Sequence, residues 1–381
     1  MDGSFFDTLV QNFRTRFMGK EVTMYPTYGY QDPAHPDHWL VPLRIWVHDN
    51  IDTPFVEDLF ERVVARHFAE DLARPLTGDE LARLEHGLEH FIAEDKEREE
   101  LEIVLPGEGP ITLEGRTGHN GVLEITLHLP EEQVERVRAA GGSAWTAVQL
   151  RTRDGLGTGT GVIRFLEPEG LSVVSDIDDT IKISEVPAGK KRVLRNVFLH
   201  PYRAAPGMRE RYEVIAAAGE NVCFHYVSGS PWQLFNPLRE FLLDEQKFPS
   251  GTFHMKNLTK NLLEPGALKT IRGFALGGDL ATLDQKIRQI TRLILHLPRR
   301  RFILVGDSGE RDPEIYRAIQ RLFPRQIERI IIRDVLGSRL EGMERISGPD
   351  VSINLDTTEV ETEMAALIAE TSEEPIDTPG L

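Results

Sequence analysis

Leu171-Ser172-Val173-Val174-Ser175-Asp176-Ile177-Asp178-Asp179-Thr180 is the stretch that decides how this chain is read. An apolar run of strand length ends in a group of carboxylates, so a buried strand delivers a DxDxT cluster at its tip. Two acids flanking one residue repel each other as anions, and a hard divalent cation is the usual way to offset that repulsion. A carboxylate held in such a place is a candidate nucleophile for phosphoryl transfer.

Outward from Leu171 the pattern alternates strand and helix, as expected for a parallel sheet covered on both faces. The predicted strands are Leu171 to Ser175, Val222 to Val227, Phe302 to Gly306 and Arg329 to Ile332. Helices predicted over Gly207 to Ala218, Trp232 to Leu243, Leu283 to His296 and Pro313 to Leu322 fit between and after them. In open parallel sheets, ligands gather beyond the carboxyl ends of the strands. Asp176 and Asp178 end the first strand, and Ser228-Gly229 end the second, ahead of a helix opening at Ser230-Pro231-Trp232 whose free amides suit a phosphate. Asp307 ends the third, with Asp312 one short loop later. Lys286 reaches the same rim from the helix before that third strand. Lys269 also lies between Ser228 and Asp307, and Lys286 is preferred because its helix leads straight into the strand.

Residues ahead of Leu171 read differently. Turn-formers alternate with strand-like pieces over residues 21 to 53, helical spacing and dense charge fill about 55 to 101, and β-type patterning then returns. Ile111 to Glu114 and Val122 to Leu127 flank Gly115 to Gly121, which predicts a hairpin, continued by Ala147 to Leu150 and Gly161 to Phe165. The expectation is a β-sandwich-like domain over 1–167 with a helical insertion, an α/β domain over 168–350, and an acidic, disordered tail over 351–381.

The motif order resembles the haloacid dehalogenase (HAD) superfamily of phosphatases, with DxDxT, strand-end Ser, Lys and GDxxxxD elements. Ser175 to Lys182 (SDIDDTIK), Tyr226 to Gln233 (YVSGSPWQ) and Phe302 to Tyr316 (FILVGDSGERDPEIY) are similar to the catalytic domain of App1-type phosphatidate phosphatases. The likeness covers about residues 165–345, and the N-terminal region is similar to the β-rich domain that accompanies bacterial members. The resemblance implies a HAD-like Rossmannoid parallel sheet, three-layer αβα with a minimal cap. It implies that Asp176 attacks phosphorus, and that Asp178, needing a raised pKa or a cycling proton, protonates the leaving oxygen and then activates water. Lys286 would neutralise charge, and Thr180, Ser228 and Gly229 would hold the phosphate. Asp176, Asp307 and the Asp178 carbonyl would bind Mg2+, supported by Asp312. The implied reaction is phosphatidate to diacylglycerol and phosphate, with a phosphoprotein or soluble phosphoester, or a binding role for the N-terminal domain, as alternatives.

Composition sets bounds. A net charge of −17 argues against generic nucleic-acid binding, which depends on Lys and Arg. Eight acids and no base lie between Asp356 and Leu381, whereas Ile181 to Arg211 carries eight bases against two acids, a local +6. Such a flap favours anionic lipid at a membrane surface, and the short intervals around it leave the site open to a bulky substrate. The one cysteine, Cys223, sits in an apolar strand pattern and reads as a core thiol. With no secretory signal and no spanning segment, the expected place is the cytoplasm, peripheral at membranes.

Weaker signals lose to plainer readings. His86-Gly87-Leu88-Glu89-His90 spells HxxEH, but Gly87 weakens the helix and no third ligand is evident. Gly155 to Gly161 reads as a turn before Val162, and Ala267 to Thr270 imitates a Walker loop without its glycines. The stripe Phe5, Leu9, Phe13, Phe17 reads as a helix packed on the β domain. Trp232 reads as a packing residue.

Overall fold

Alternation of apolar and polar residues builds the first of two sheets in the computed structural model, which describes residues 20–49, 65–66, 68–88, 91, 93–219, 221–257, 280–335 and 351–354. Its nine strands are β1 (Lys20–Met24), β2 (Thr27–Gln31), β3 (His38–Asp49), β4 (Glu94–Asp95), β5 (Leu101–Val104), β6 (Pro110–Thr112), β7 (Val122–Pro130), β8 (Thr146–Thr152) and β9 (Gly157–Phe165). They follow the path β1-β3-β2-β9-β8-β5-β6, with β4 and β7 also on β3. Inward-facing Val41, Ile45, Leu101, Ile103, Leu150 and Ile163 form a dry core.

Two expectations fail here. The predicted hairpin across Gly115 to Gly121 does not form: β6 turns back on β5 (Glu102 opposite Thr112), and β7 pairs with β3 from His38 opposite Pro130 to Trp46 opposite Val122. The long β3 offers β7 a buried face that the short β6 cannot match. Gly121, at φ +64, brings the chain so close to β3 that a Cβ would lie 2.5 Å from the Val47 carbonyl. The second concerns Gly155 to Gly161. Only its start turns, and Gly157 onward is β9, running parallel to β1. A Cβ on Gly159 would stand 1.7 Å from the Val22 carbonyl oxygen, so these glycines serve close backbone approach.

Helix α1 (Gly78–Leu88) lies inside the expected helical insertion, while residues 50–64 are outside the described ones. Gly87 lets α1 meet a later helix: a Cβ there would lie 2.9 Å from the Phe198 ring. Helix α2 (Glu131–Gly141), ended by Gly142 at φ 64, was not anticipated. The N-terminal stripe and the tail from residue 355 lie outside the described residues.

The second sheet has six strands, all parallel: β10 (Leu171–Ser175), β11 (Val222–Pro231), β12 (Gly251–Lys256), β13 (Arg301–Asp307), β14 (Ile327–Arg333) and β15 (Val351–Asn354). Their order is β12-β11-β10-β13-β14-β15. The central strands β10, β11 and β13 are buried almost throughout because both faces are covered. One face meets α3 (Lys190–Phe198), α4 (Met208–Ala216) and α5 (Phe235–Arg239) through Val193, Tyr212 and Leu238. The other meets α6 (Leu280–His296) and α7 (Asp312–Leu322) through Ile290, Leu293 and Ile319, with buried Cys223 among them. Strand β12 was not among the predicted strands, and β15 begins one residue past the expected end of the unit. The predicted helix over Trp232 to Leu243 is a 3-10 turn, α5 and a π turn in succession.

At the junction of the two sheets, Arg300 is 1% exposed. Its guanidinium donates to the carbonyls of Glu167, Glu169, Leu171 and Asn221 and to Ser172 Oγ. The sheets also share a core, in which Tyr25 and Trp46 join Val173, Phe224 and Phe235.

Candidate active site

Strand β10 lies between β11 and β13, with Ser175 opposite Tyr226 and Val305, so the residues after Ser175 emerge at the centre of the carboxyl edge. The Asp176 amide donates to the Val305 carbonyl at 2.9 Å, which fixes where its side chain begins. That side chain is 1% exposed. Lys286 Nζ, from the face of α6 turned to the sheet, stands 2.8 Å from Asp176 Oδ1. Thr180 Oγ1 donates to Asp176 Oδ2 at 3.0 Å. Burial pushes the Asp176 carboxyl well above the ordinary range; Lys286 opposes that, and Asp312, Glu310 and Asp307 add to it.

Asp307 and Asp312 arrive from the end of β13 and the start of α7. Asp176, Asp307 and Asp312 each place a carboxylate oxygen within 4.8 Å of the others, all three buried. Lys286 also reaches Asp312 Oδ1 at 2.7 Å and Glu310 Oε2 at 3.1 Å. Asp307 Oδ1 accepts from the amides of Gly309 and Glu310, while among the described residues its Oδ2 is buried without a hydrogen-bond partner. Burial drives the Asp307 carboxyl well up, with Asp312 and Glu310 adding to it. Clustered anionic oxygens, one of them lacking a donor, are the donor set a hard divalent cation takes. Gly306 is part of this design: a Cβ there would lie 2.4 Å from Asp312 Oδ2.

Asp178 sits apart from the trio, in its own network. Its Oδ1 accepts from Lys182 Nζ and Ser184 Oγ, each at 2.6 Å, and its Oδ2 from Ser230 Oγ at 3.0 Å and Ser228 Oγ at 3.2 Å. The β11–β12 pairing breaks between Val227 and Pro231, which lifts Ser228, Gly229 and Ser230 out of the ladder toward it. Burial pushes the Asp178 carboxyl up, but Lys182 and the hydroxyl donors outweigh it and bring it down to about 2. Of the two expectations for Asp178, a raised pKa or a cycling proton, the lowered value fits the second: its carboxylate rests beside the buried Lys182. Asp179, in the left-handed region at φ 57, turns its carboxylate onto the amides of Ser184, Glu185 and Val186 and so shapes the loop that carries Ser184.

Lys182, Ser184, Ser230 and Glu310 were missed as site residues. Lys182 had a local signal, four residues after Asp178, but was counted among the exposed bases. It is 1% exposed and lies 4.9 Å from the Tyr202 ring centre. The +6 stretch as a whole is not a free positive flap. Lys191 and Arg195 pair with Asp71, Arg192 with Glu185, and Arg209 with Glu210 and Glu213, while Arg211 is buried. His86 bonds Glu240 at 3.0 Å; His90 and Lys269 lie outside the described residues. No helix among the described residues is long and apolar enough to cross a membrane.

A family model described as the catalytic domain of phosphatidate phosphatase APP1 matches residues 171–334, the span of this site. Phosphatidate phosphatase APP1 of Saccharomyces cerevisiae is 34% identical over 171 residues, which are 44% of this chain and 27% of the relative. A protein of Schizosaccharomyces pombe is 31% identical over 179 residues, 46% of this chain and 27% of its own. The chain thus spans about a quarter of the length of these relatives. Among solved structures, a GH2 beta-galacturonidase from Eisenbergiella tayi is 12% identical, with 93% of this chain and 54% of that one covered, at a TM-score of 0.26. Residues 171–334, with their buried carboxylates at the centre of a parallel sheet, are similar to the catalytic domain of phosphatidate phosphatase APP1.

Proposed function

We propose that this chain is a Mg2+-dependent phosphomonoesterase acting through Asp176, with phosphatidate as substrate and diacylglycerol and phosphate as products. The observation that carries the reading is the buried Asp176 carboxylate held 2.8 Å from Lys286 and within 4.8 Å of Asp307 and Asp312. In this reading residues 168–350 are a HAD-like Rossmannoid unit with a minimal cap, and residues 1–167 are a β-sandwich-like domain that shares a core with it. An Asp176 oxygen bonds to phosphorus as the ester P–O bond breaks; water then cleaves the aspartyl-phosphate and returns the carboxylate. Lys286 offsets charge on nucleophile and phosphoryl group, and Thr180, Ser228 and the Gly229 amide donate to phosphoryl oxygens. Asp178, held as a carboxylate, serves the second step as the base that deprotonates the water. For the first step it turns away from Lys182, takes a proton from solvent and gives that proton to the leaving oxygen as the P–O bond breaks, which leaves it the carboxylate that the second step needs. Mg2+ would be held by Asp176, Asp307 and Asp312 with the Asp178 backbone carbonyl, and would neutralise charge developing on the transferring group.

The test is phosphate release from phosphatidate in detergent micelles with magnesium. Asp176→Asn should abolish it, and turnover retained at the wild-type level would remove the nucleophile. A soluble phosphoester is the second reading, favoured by the pairing of five of the eight bases in the basic stretch with carboxylates. The ratio of rates on vesicle-embedded phosphatidate and soluble phosphoesters separates the two.

A further inference from the structure

A cleft of about 660 Å³ opens between the first sheet and the β12 edge of the second. Tyr25, Tyr28 and Arg44 wall it on one side, and Trp232, Phe253 and Met255 on the other. Its floor is the face of α6 that bears Gln285, Arg288, Gln289 and Arg292. Lys286, in the same turn of α6, points the other way into the carboxylate cluster, so one helix serves both places. The size is that of a small-molecule site.

Its chemistry is amphipathic and positive. Aromatic and thioether surface makes the walls, and three guanidiniums face two carboxylates. Arg44 pairs with Glu124 and Arg288 with Asp284, and among the described residues Arg292 has no carboxylate partner. Among the described residues, three of the buried polar atoms without a hydrogen-bond partner belong to this lining: Arg44 Nε, Gln285 Nε2 and Gln289 Oε1. Buried polar atoms are nearly always paired, so three in one lining mark missing partners.

We propose that this cleft is a second binding site, separate from the carboxylate cluster, for an organic phosphate ester with an apolar part, such as a lipid headgroup or a soluble phosphoester. The phosphate engages Arg292 and Arg288, and the apolar part lies against Trp232, Phe253 and Tyr25. The choice of phosphatidate as probe rests on the function proposed above; the site itself does not.

The experiment titrates the full-length Asp176→Asn protein, which cannot consume the probe, with short-chain phosphatidate below its micellar concentration by calorimetry. Two equivalents are expected to bind. Arg292→Glu, or Arg288→Glu on the exposed flank of the helix, in that background should weaken one of them roughly 10- to 100-fold, the loss of a charged hydrogen-bond partner. No binding, or binding that neither variant weakens, overturns the proposal. Co-sedimentation with phosphatidylcholine vesicles, with and without phosphatidate, distinguishes the sources: sedimentation lost in Arg292→Glu assigns a lipid headgroup, and unchanged sedimentation assigns a soluble ester. In the otherwise wild-type chain, Arg292→Glu should leave turnover of p-nitrophenyl phosphate unchanged. If the wild-type chain turns over no phosphoester, the proposed function fails while the titration still decides the cleft.

Discussion

Gly306→Ala adds one methyl group and tests the whole carboxylate cluster. The backbone at Gly306 is not in the left-handed region, so alanine meets no conformational penalty there. The new Cβ would stand 2.4 Å from Asp312 Oδ2 and 2.6 Å from Asp312 Cβ. Ordinary contact begins near 3.4 Å, so Asp312 has to retreat by about 1 Å. That retreat breaks its 2.7 Å contact with Lys286 and its acceptance of the Asp307 amide at 3.3 Å, which frees the ammonium that balances Asp176. A misplacement of about 1 Å costs on the order of 100-fold in rate, and overpacking costs about 1–3 kcal/mol of stability. Phosphate release measured across a magnesium titration should show both the lower rate and a higher magnesium requirement. Gly109→Ala, where a Cβ meets nothing within 4 Å, is the control and should change neither. Wild-type rate and magnesium dependence in folded Gly306→Ala would refute the role given to Asp312.

Other outcomes rest on the same geometry. Burial raises the Asp176 and Asp307 carboxyls, so they stabilise the cation-free fold only when protonated, below an unfolded value near 4, and lose that contribution as pH rises through the raised values. Magnesium should therefore stabilise the fold at neutral pH by about 2.7 kcal/mol at a hundredfold excess over its Kd, read as a higher melting temperature, and Asp307→Asn should remove the gain; equal melting with and without the ion would count against a metal site. Asp178 has the opposite sign: its carboxyl, lowered to about 2, lends stability above pH about 4 that is lost as pH falls toward 2. Lys182→Met should cost about 3–5 kcal/mol in urea unfolding at neutral pH by stranding a buried anion, and a loss below 1 kcal/mol would show the pair to be dispensable. Trp232 lies 4.2 Å from Tyr25 and 4.9 Å from the Arg44 guanidinium, two residues after Ser230. Trp232→Ala should lower thermal stability by about 2 kcal/mol and raise KM for phosphate esters; an unchanged KM would separate the first sheet from the phosphate loop.

Much of the site was legible because parallel sheets place their chemistry at strand ends. Asp176, Ser228 and Asp307 each follow an apolar run, and chain order alone sets them at one edge. Lys286 was readable because its helix feeds β13. The Lys182–Asp178 pair was not, because sequence spacing does not tell whether a lysine turns outward or under its own loop. The basic stretch misled for a related reason: its partner Asp71 lies more than a hundred residues away. The failed hairpin has the same origin, since β7 chose β3 over its sequence neighbour to bury a longer face. Strand β12 was obscured because Gly251 to Lys256 is short and comes soon after a proline.

The Arg300 clamp changes how the chain should be divided. A single guanidinium grips four carbonyls that straddle the proposed border, two of them, Glu167 and Glu169, upstream of β10. The border expected at residue 167 is riveted across, and the two halves are expected to tumble as one body. A fragment trimmed to begin at Leu171 would strand that guanidinium with orphaned donors, so a soluble excised enzyme would need to keep the few residues before it.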